Sequence, residues 1–316
     1  MRDETVRRVL NAMAGFPGPW FLLPGNHDPA LAESVWTRIE RLGRPPNVIL
    51  LTEPTPWFSP DRRFAILPAP LRRRHESRDL TEAFDLMQTP EGAARIGLAH
   101  GAIIGFSAGA GGETEATNPV EPERPQRAGL AYLALGDWHG ALRVGPRCCY
   151  SGTPEPDRFK DNDQGNVLVV RLDGAAAPAY EKIKLGGYRW LQRAARVDGR
   201  EDVVALDGVL SALDQDPARV LLQLTLTGAP DLATAAALDR CLAGWAAKLR
   251  HLERRDDELA AAASDDDLDA IDKEGFVRGA IDALRAKRDN AEDPDRDAAR
   301  AALQKLHELH RRGAAR

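Results

Sequence analysis

The stretch Leu22-Leu23-Pro24-Gly25-Asn26-His27-Asp28 decides the reading of this chain. An apolar run ends in a Pro-Gly turn, and an amide, an imidazole and a carboxylate follow in a row. In α/β folds ligands sit outside the carboxyl ends of strands, so polar groups presented there are candidates for chemistry. The Asn26 side-chain oxygen is a hard, neutral ligand for a divalent cation. His27 can donate a hydrogen bond or a proton to an oxyanion, and Asp28 can orient that imidazole. The plainer alternative is an Asn-His-Asp cap that opens a helix at Pro29.

Working outward, the same pattern returns twice. Ile96-Gly97-Leu98-Ala99-His100-Gly101 is a second apolar run ending in His-Gly. Leu133-Ala134-Leu135-Gly136-Asp137-Trp138-His139-Gly140 is a third. Of the seven histidines in the chain, these ends hold three, which is too concentrated for a scatter of ordinary core histidines. If the backbone at Asp137-x-His139 is extended, the i, i+2 spacing puts both side chains on one face. Imidazole with carboxylate or amide oxygen suits Mn²⁺, Fe²⁺ or Zn²⁺.

The surroundings are α/β in character. Strands are expected over 20–23, 48–51, 64–67, 96–99, 132–135, 148–151 and 167–172, and helices over 4–14, 31–42 and 79–87. That alternation argues for a sheet layered with helices. Residues 103–127, rich in Gly and Pro, predict a long surface loop. The run 173–178 (DGAAAP) predicts a hinge. Beyond it the pattern is strand 188–197, helix 203–213, strand 220–226, helix 232–249 and a short strand near His251, which is a small α+β unit. Helices over 274–287 and 296–311 follow, the latter with Leu303, Leu306 and Leu309 in a stripe. The expected domains are therefore 1–175, 176–260 and a helical extension, 261–316.

Composition excludes several classes. With 43 Lys+Arg against 48 Asp+Glu among 316 residues, the net charge is −5, so the chain cannot hold nucleic acid by bulk positive charge. Local basic groups remain as phosphate contacts: Arg72-Arg73-Arg74-His75, and Arg147, Arg158 and Lys160. Hydrophobic residues make up 43% and charged residues 29%, the balance of a globular chain. No run approaches the ~20 apolar residues of a membrane helix, and the start has no apolar signal core, so a cytoplasmic protein without membrane partner is expected. Cys148, Cys149 and Cys241 form no CxxC pair and read as small apolar residues in a reducing compartment.

The three strand ends together resemble the third, fourth and fifth motifs of the calcineurin-like metallophosphoesterases: Gly-Asn-His-Asp, His-Gly, and Gly-[His/Asp]-x-His. Tyr150-Ser151-Gly152-Thr153-Pro154-Glu155-Pro156, Phe159, Gly165-Asn166-Val167-Leu168-Val169 and Lys184-Leu185-Gly186-Gly187-Tyr188-Arg189-Trp190 are similar to the SbcD-type DNA repair exonuclease branch and its capping domain. The resemblance implies an αββα layered sandwich, N-terminally incomplete, with a smaller α+β cap. It implies two divalent cations, Mn²⁺ foremost and Fe²⁺ or Zn²⁺ as alternatives. Carried over by position, Asn26 and His100 would ligate one cation and His139 the other. Asp137 would stand where the family often has a first His. His27 would be the catalytic imidazole, with Asp28 beside it.

The family's two earlier motifs, Asp-x-His and Gly-Asp-x-x-Asp, do not occur among the 25 residues before Asn26. The expectation is thus a chain that is truncated, mis-started or degenerate. Two strands and about half of the ligands, the bridging Asp included, would be missing, and weak cation binding would centre on Asn26, His100 and Asp137. The implied reaction is phosphodiester hydrolysis by two cations about 3.5–4 Å apart, with His27 stabilising charge or protonating the leaving oxygen. The implied substrate is DNA ends, the implied partner an SMC-like ATPase, with a homodimer as a further option. Two alternatives stand beside it: a phosphodiesterase or phosphatase for small molecules or nucleotides, and a non-catalytic interaction subunit.

Overall fold

The computed structural model describes the chain except residues 1, 106–116, 161, 175, 260–264, 272–274 and 315–316. It is a mixed α/β protein that divides into two compact units, Met1–Gly187 and Tyr188–Arg316.

In the first unit, helix α1 (Asp3–Ala14) starts with Asp3 and Glu4, which favour the positive end of a helix dipole. Its Val6 and Leu10 meet Trp36 and Ile39 of α2 (Val35–Leu42) over Val48 in one small core. Between the helices runs β1 (Trp20–Leu22), paired in parallel with β2 (Val48–Leu50). Helix α2 begins four residues later than the spacing at Leu31 suggests. The chain before it is held out of the helix by turns, with the Ala30 N–H donating to the Leu71 carbonyl and the Leu31 N–H to the Pro29 carbonyl, each at 2.8 Å. No helix opens at Pro29, so the capping alternative for Asn26–Asp28 falls.

The main sheet has six strands: β3 (Trp57–Phe58), β4 (Phe64–Ala69), β5 (Ala94–His100), β8 (Tyr132–Gly136), β10 (Cys148–Tyr150) and β9 (Leu142–Gly145), in that spatial order. The four central strands are parallel, and the short outer two are antiparallel. Parallel interior strands are covered on both faces, which explains the apolar runs of β4, β8 and β10, while β5 also carries Arg95, whose guanidinium donates to the Phe84, Met87 and Ala128 carbonyls. Cys148 packs into the main core, and Cys149 is buried on the other side. Burial pushes the Cys148 thiol up to about 12, as expected of an inert core residue. Because the central strands are parallel, the carboxyl ends of β4, β5, β8 and β10 share one edge. His100 and Gly136 lie opposite each other on that edge.

The expected loop over 103–127 holds more structure than its composition suggests, while residues 106–116 lie outside those described. β6 (Ala102–Ile103) pairs with β7 (Pro119–Val120), and α3 (Arg124–Arg127) follows. The anchor is Arg124, whose fully buried side chain bonds Asp79 at 3.0 Å and Asp85 at 2.9 Å. Asp79 in turn caps the 3₁₀ turn Leu80–Asp85 through the Thr81 N–H. Proline-rich sequence reads as solvent-exposed unless such an ion pair is foreseen, and this pair links residues about forty apart.

The expected hinge at 173–178 is instead the connection within an antiparallel ribbon. β11 (Asn166–Arg171) pairs along its whole length with β12 (Ala179–Lys184). Tyr180 of the ribbon lies 6.0 Å from Tyr132 of the main sheet, ring to ring. The break between compact units falls at 187/188 instead of 175/176, because the ribbon belongs to the first unit.

The second unit is a parallel sheet in the order β13 (Arg189–Arg196), β14 (Val220–Gly228), β15 (His251–Leu259). α4 (Arg200–Ser211) and α5 (Leu232–Ala246) are its crossovers. Alternate residues of the central strand, Val220, Leu222, Leu224 and Leu226, are fully buried in the same cluster as Leu206, Leu238 and Trp245 from the helices. Both helices therefore cover one face. α6 (Asp265–Ile271), α7 (Phe276–Asp289) and α8 (Arg296–Ala314) make a further cluster around Leu268, Ile281 and Leu303. Leu306 packs against it while Leu309 is exposed, so two of the three leucines of the stripe are used. Among the described residues, no helix is long and apolar enough to cross a membrane.

Candidate metal and phosphate site

Asn26, His100 and Asp137 come from three strand ends and meet. His100 Nε2 lies 3.1 Å from Asn26 Oδ1 and 3.4 Å from Asp137 Oδ1. The Asn26 amide donates to Asp137 Oδ1 at 3.2 Å. The sequence separations are 74 and 111 residues: β5 and β8 lie side by side in the main sheet, while the Asn26 turn, which follows the separate β1–β2 pair, is tied to the segment after β4 by the Leu71 N–H to the Pro24 carbonyl at 3.3 Å and the Ala30 N–H to the Leu71 carbonyl at 2.8 Å.

Two glycines shape the slot for the His100 ring. A Cβ on Gly25 would stand 2.8 Å from His100 Cε1 and Nδ1, and one on Gly136 would stand 2.8 Å from Nδ1. Neither glycine is there for an unusual backbone angle. Each is there because the imidazole fills the space a side chain would need. Behind the ring, the buried Tyr150 hydroxyl donates to the Gly101 carbonyl at 2.8 Å and accepts from the Ile103 N–H at 3.1 Å. That bridge fixes the turn leaving β5.

The Gly25–Asp28 turn is closed by Asp28 itself. Its Oδ1 accepts from the Gly25 N–H at 2.8 Å, and its own N–H donates to the Gly25 carbonyl at 3.3 Å. Its carbonyl accepts from Trp36 Nε1 at 2.5 Å. The Asp28 carboxylate thus holds the turn that presents Asn26 rather than orienting His27. His27 is exposed at the tip and bonds no described residue.

Asp137 has a φ of +102°, a rare conformation for a residue with a side chain, at a cost of about 1–3 kcal/mol. The extended backbone assumed for Asp137-x-His139 is therefore absent, and the two side chains take different partners. His139 Nδ1 lies 2.9 Å from Asp157 Oδ2 and 3.0 Å from Arg158 Nη2. Arg158 also grips the Asp157 carboxylate with two bonds of 3.0 Å. The Arg158 bond holds the Asp157 carboxyl down at about 2, against an opposing push from burial, with a lesser help from the His139 bond.

This second cluster rides on a strap, residues 152–160 and 162–163, laid against the 137–140 turn. The Thr153 N–H donates to the His139 carbonyl at 2.8 Å, and the Ala141 N–H to the Asp163 carbonyl at 3.1 Å. Gly140 has no room for a side chain, since a Cβ would stand 1.6 Å from the Asn162 oxygen. Lys160 Nζ sits 4.8 Å from the centre of the Trp138 ring. Arg158 and Lys160 are thus beside the turn, as expected. Arg147 is not: it precedes β10, at the opposite end of the parallel strands, and donates to the Ala131 carbonyl. Arg72 is paired with Glu53. Asp157 and Tyr150 carry parts of this arrangement that sequence reasoning did not single out. A carboxylate directly before Arg158, just past a Gly-Thr-Pro turn, was the available signal for the first.

Around a cation with bonds of roughly 2.1 Å, neighbouring ligand atoms lie about 3 Å apart. The separations of His100 Nε2 from Asn26 Oδ1 and Asp137 Oδ1 match that. In the Nε2–H tautomer one proton faces two oxygens, so a cation in its place would meet a neutral imidazole and two oxygens. Asn26, His100 and Asp137 therefore fit one divalent ion. No group of three His, Cys, Asp or Glu gathers with metal-ligand spacing among the described residues, and His139 stands with Asp157 and Arg158.

No family model matches the chain, and no curated protein matches it.

Proposed function

We propose that the chain is a metal-dependent phosphodiester hydrolase of the calcineurin-like metallophosphoesterase kind, with its layered αββα fold, acting on DNA ends in repair. One observation carries the reading. Three strand ends, distant in sequence, bring Asn26 Oδ1, His100 Nε2 and Asp137 Oδ1 together at the carboxyl edge of a parallel sheet, with two glycines making room for the imidazole.

A divalent cation at this set, Mn²⁺ by resemblance, would supply Lewis-acid stabilisation of phosphate charge. The chain's own groups do the rest. Asp28 and Trp36 hold the turn, so Asn26 faces the His100 slot. His27, exposed on that turn, is placed to donate to a phosphate oxygen or to the leaving group. Arg158 and Lys160 flank the 137–140 turn, where they can meet non-bridging oxygens. A second cation would have His139 as its ligand, and the SMC-like partner belongs to the same reading.

Binding is tested by titrating the whole chain with Mn²⁺ and repeating with Asn26→Ala and Asp137→Ala. Loss of one binding event in both variants is expected, and equal binding by all three proteins overturns the site. The substrate is tested by comparing resection of linear DNA with hydrolysis of a chromogenic phosphodiester in Mn²⁺. Turnover of the small ester alone rejects DNA and favours a small-molecule phosphodiesterase. A second reading is a non-catalytic interaction subunit, in which the hydrogen bonds among Asn26, His100 and Asp137 serve to join the turns after three strands. Absence of turnover with both substrates selects it.

A further inference from the structure

His139 Nδ1 has two neighbours that ask for opposite tautomers. The Asp157 carboxylate can only accept, so it needs a proton on Nδ1. The Arg158 guanidinium can only donate, so it needs a lone pair on Nδ1. The two contacts, 2.9 Å to Asp157 Oδ2 and 3.0 Å to Arg158 Nη2, cannot both be hydrogen bonds of a neutral ring.

The surroundings choose between them. Arg158 already makes two bonds to Asp157, through Nε and Nη2, and its side chain is 54% exposed, so water serves its remaining protons. Asp157 Oδ2 is a charged acceptor, and a bond between a ring N–H and a carboxylate is about twice as strong as one between neutral groups. The arginine gains little from His139, and the imidazole gains more from the carboxylate.

We propose that Asp157 is a positioning residue that holds His139 in the Nδ1–H tautomer, leaving Nε2 as the lone-pair donor. Its use rests on the hydrolase reading above: an Nε2 lone pair is what a ligand to a second cation must offer, and a carboxylate on the far nitrogen orients such a ligand and raises its basicity. The strap supplies the rigidity. His139 and Asp157 are tied by the Thr153–His139 backbone bond, and the Asp157 N–H donates to Gln164 Oε1 at 3.1 Å. The carboxylate therefore approaches the ring from a fixed side. Arg158 holds Asp157 and presents its outer face to solvent.

The test needs no metal. The full chain is labelled with ¹⁵N-histidine, and the ring nitrogens are observed by two-bond proton–nitrogen correlation well above the ordinary imidazole titration range. The His139 signals are assigned by their loss in His139→Gln. The expected pattern is a protonated Nδ1 and a bare Nε2. Asp157→Ala is expected to move His139 to the Nε2–H form, and Arg158→Gln to leave it unchanged. A wild-type Nε2–H ring, an imidazolium at that pH, or an Asp157→Ala spectrum identical to wild type each overturns the proposal. A second readout is Mn²⁺ affinity. Asp157→Ala should weaken any site containing His139 by about 10–100-fold and leave the site of Asn26, His100 and Asp137 unchanged. If the tautomer behaves as stated while no Mn²⁺ binds, the hydrolase reading fails and the positioning role stands.

Discussion

Two polar clusters leave the same strand end within three residues and are built on opposite principles. Asp137 turns inward to His100 and Asn26, and its partners lie 37 and 111 residues away in sequence. His139 turns to Asp157 and Arg158, its neighbours 18 and 19 residues on. The first cluster is mostly uncharged and set in a slot lined by backbone, with the His100 side chain 21% exposed. The second is charged and open, with the Asp157 side chain 40% exposed. A slot between two closely approaching turns has little room for added atoms. A cluster made by a surface strap depends on which hydrogen bonds are present. The two should therefore break under different perturbations.

The largest effect is expected from Gly25→Val. A side chain there meets the His100 ring at 2.8–3.2 Å and must displace it. Mn²⁺ affinity should fall by about 100-fold, while the His139 tautomer stays as in wild type. Calorimetry and the histidine spectra check both halves, with circular dichroism as the control for folding. A simultaneous change in the His139 ring would show that the clusters are one unit.

Next is Tyr150→Phe, which leaves the buried Gly101 carbonyl and Ile103 N–H without their partner. The expected cost is about 1–3 kcal/mol in unfolding free energy, read from denaturant titration. Gly136→Ala follows. Its Cβ would press one ring nitrogen at 2.8 Å, with the next atoms at 3.6 Å, so a small shift of His100 relieves it. A roughly 10-fold loss in Mn²⁺ affinity is expected. An unchanged affinity would mean that the ring can slide in its slot.

The smallest effect concerns acid. The Asp157 carboxyl is held at about 2, below the ordinary 3.8. Its bonds to Arg158 and His139 thus stabilise the folded state above 3.8, and that contribution fades as pH falls towards about 2. Wild type and Asp157→Asn should differ in stability near neutrality and converge at the acid end, by a small margin because the pair is exposed. A difference that grows on acidification breaks the assignment.

Much of the first unit was legible in residue order. Parallel strands covered on both faces are mostly apolar, so β4, the 96–99 part of β5 and β8 stood out, and the polar groups after β5 and β8 marked the strand ends. The two glycines against His100 were visible as letters but not as a slot. Asp137 was visible as a ligand type, yet its positive φ was not, and the rule for side chains on one face failed with it. The elements at 119–120 and 124–127 escaped because Arg124 is buried by carboxylates some forty residues earlier. The ribbon escaped because 173–178 has the composition of a linker, and only the matched register of β11 with β12 makes it a turn.

Residue order by itself determined the α/β character and the apolar runs that end in Asn26, His100 and Asp137, because apolar periodicity and turn residues act over a few positions. Only the tertiary structure decided that these three meet while His139 joins Asp157 and Arg158. That choice rests on which strands lie side by side and on one backbone angle at Asp137, and both depend on contacts between residues far apart in the chain.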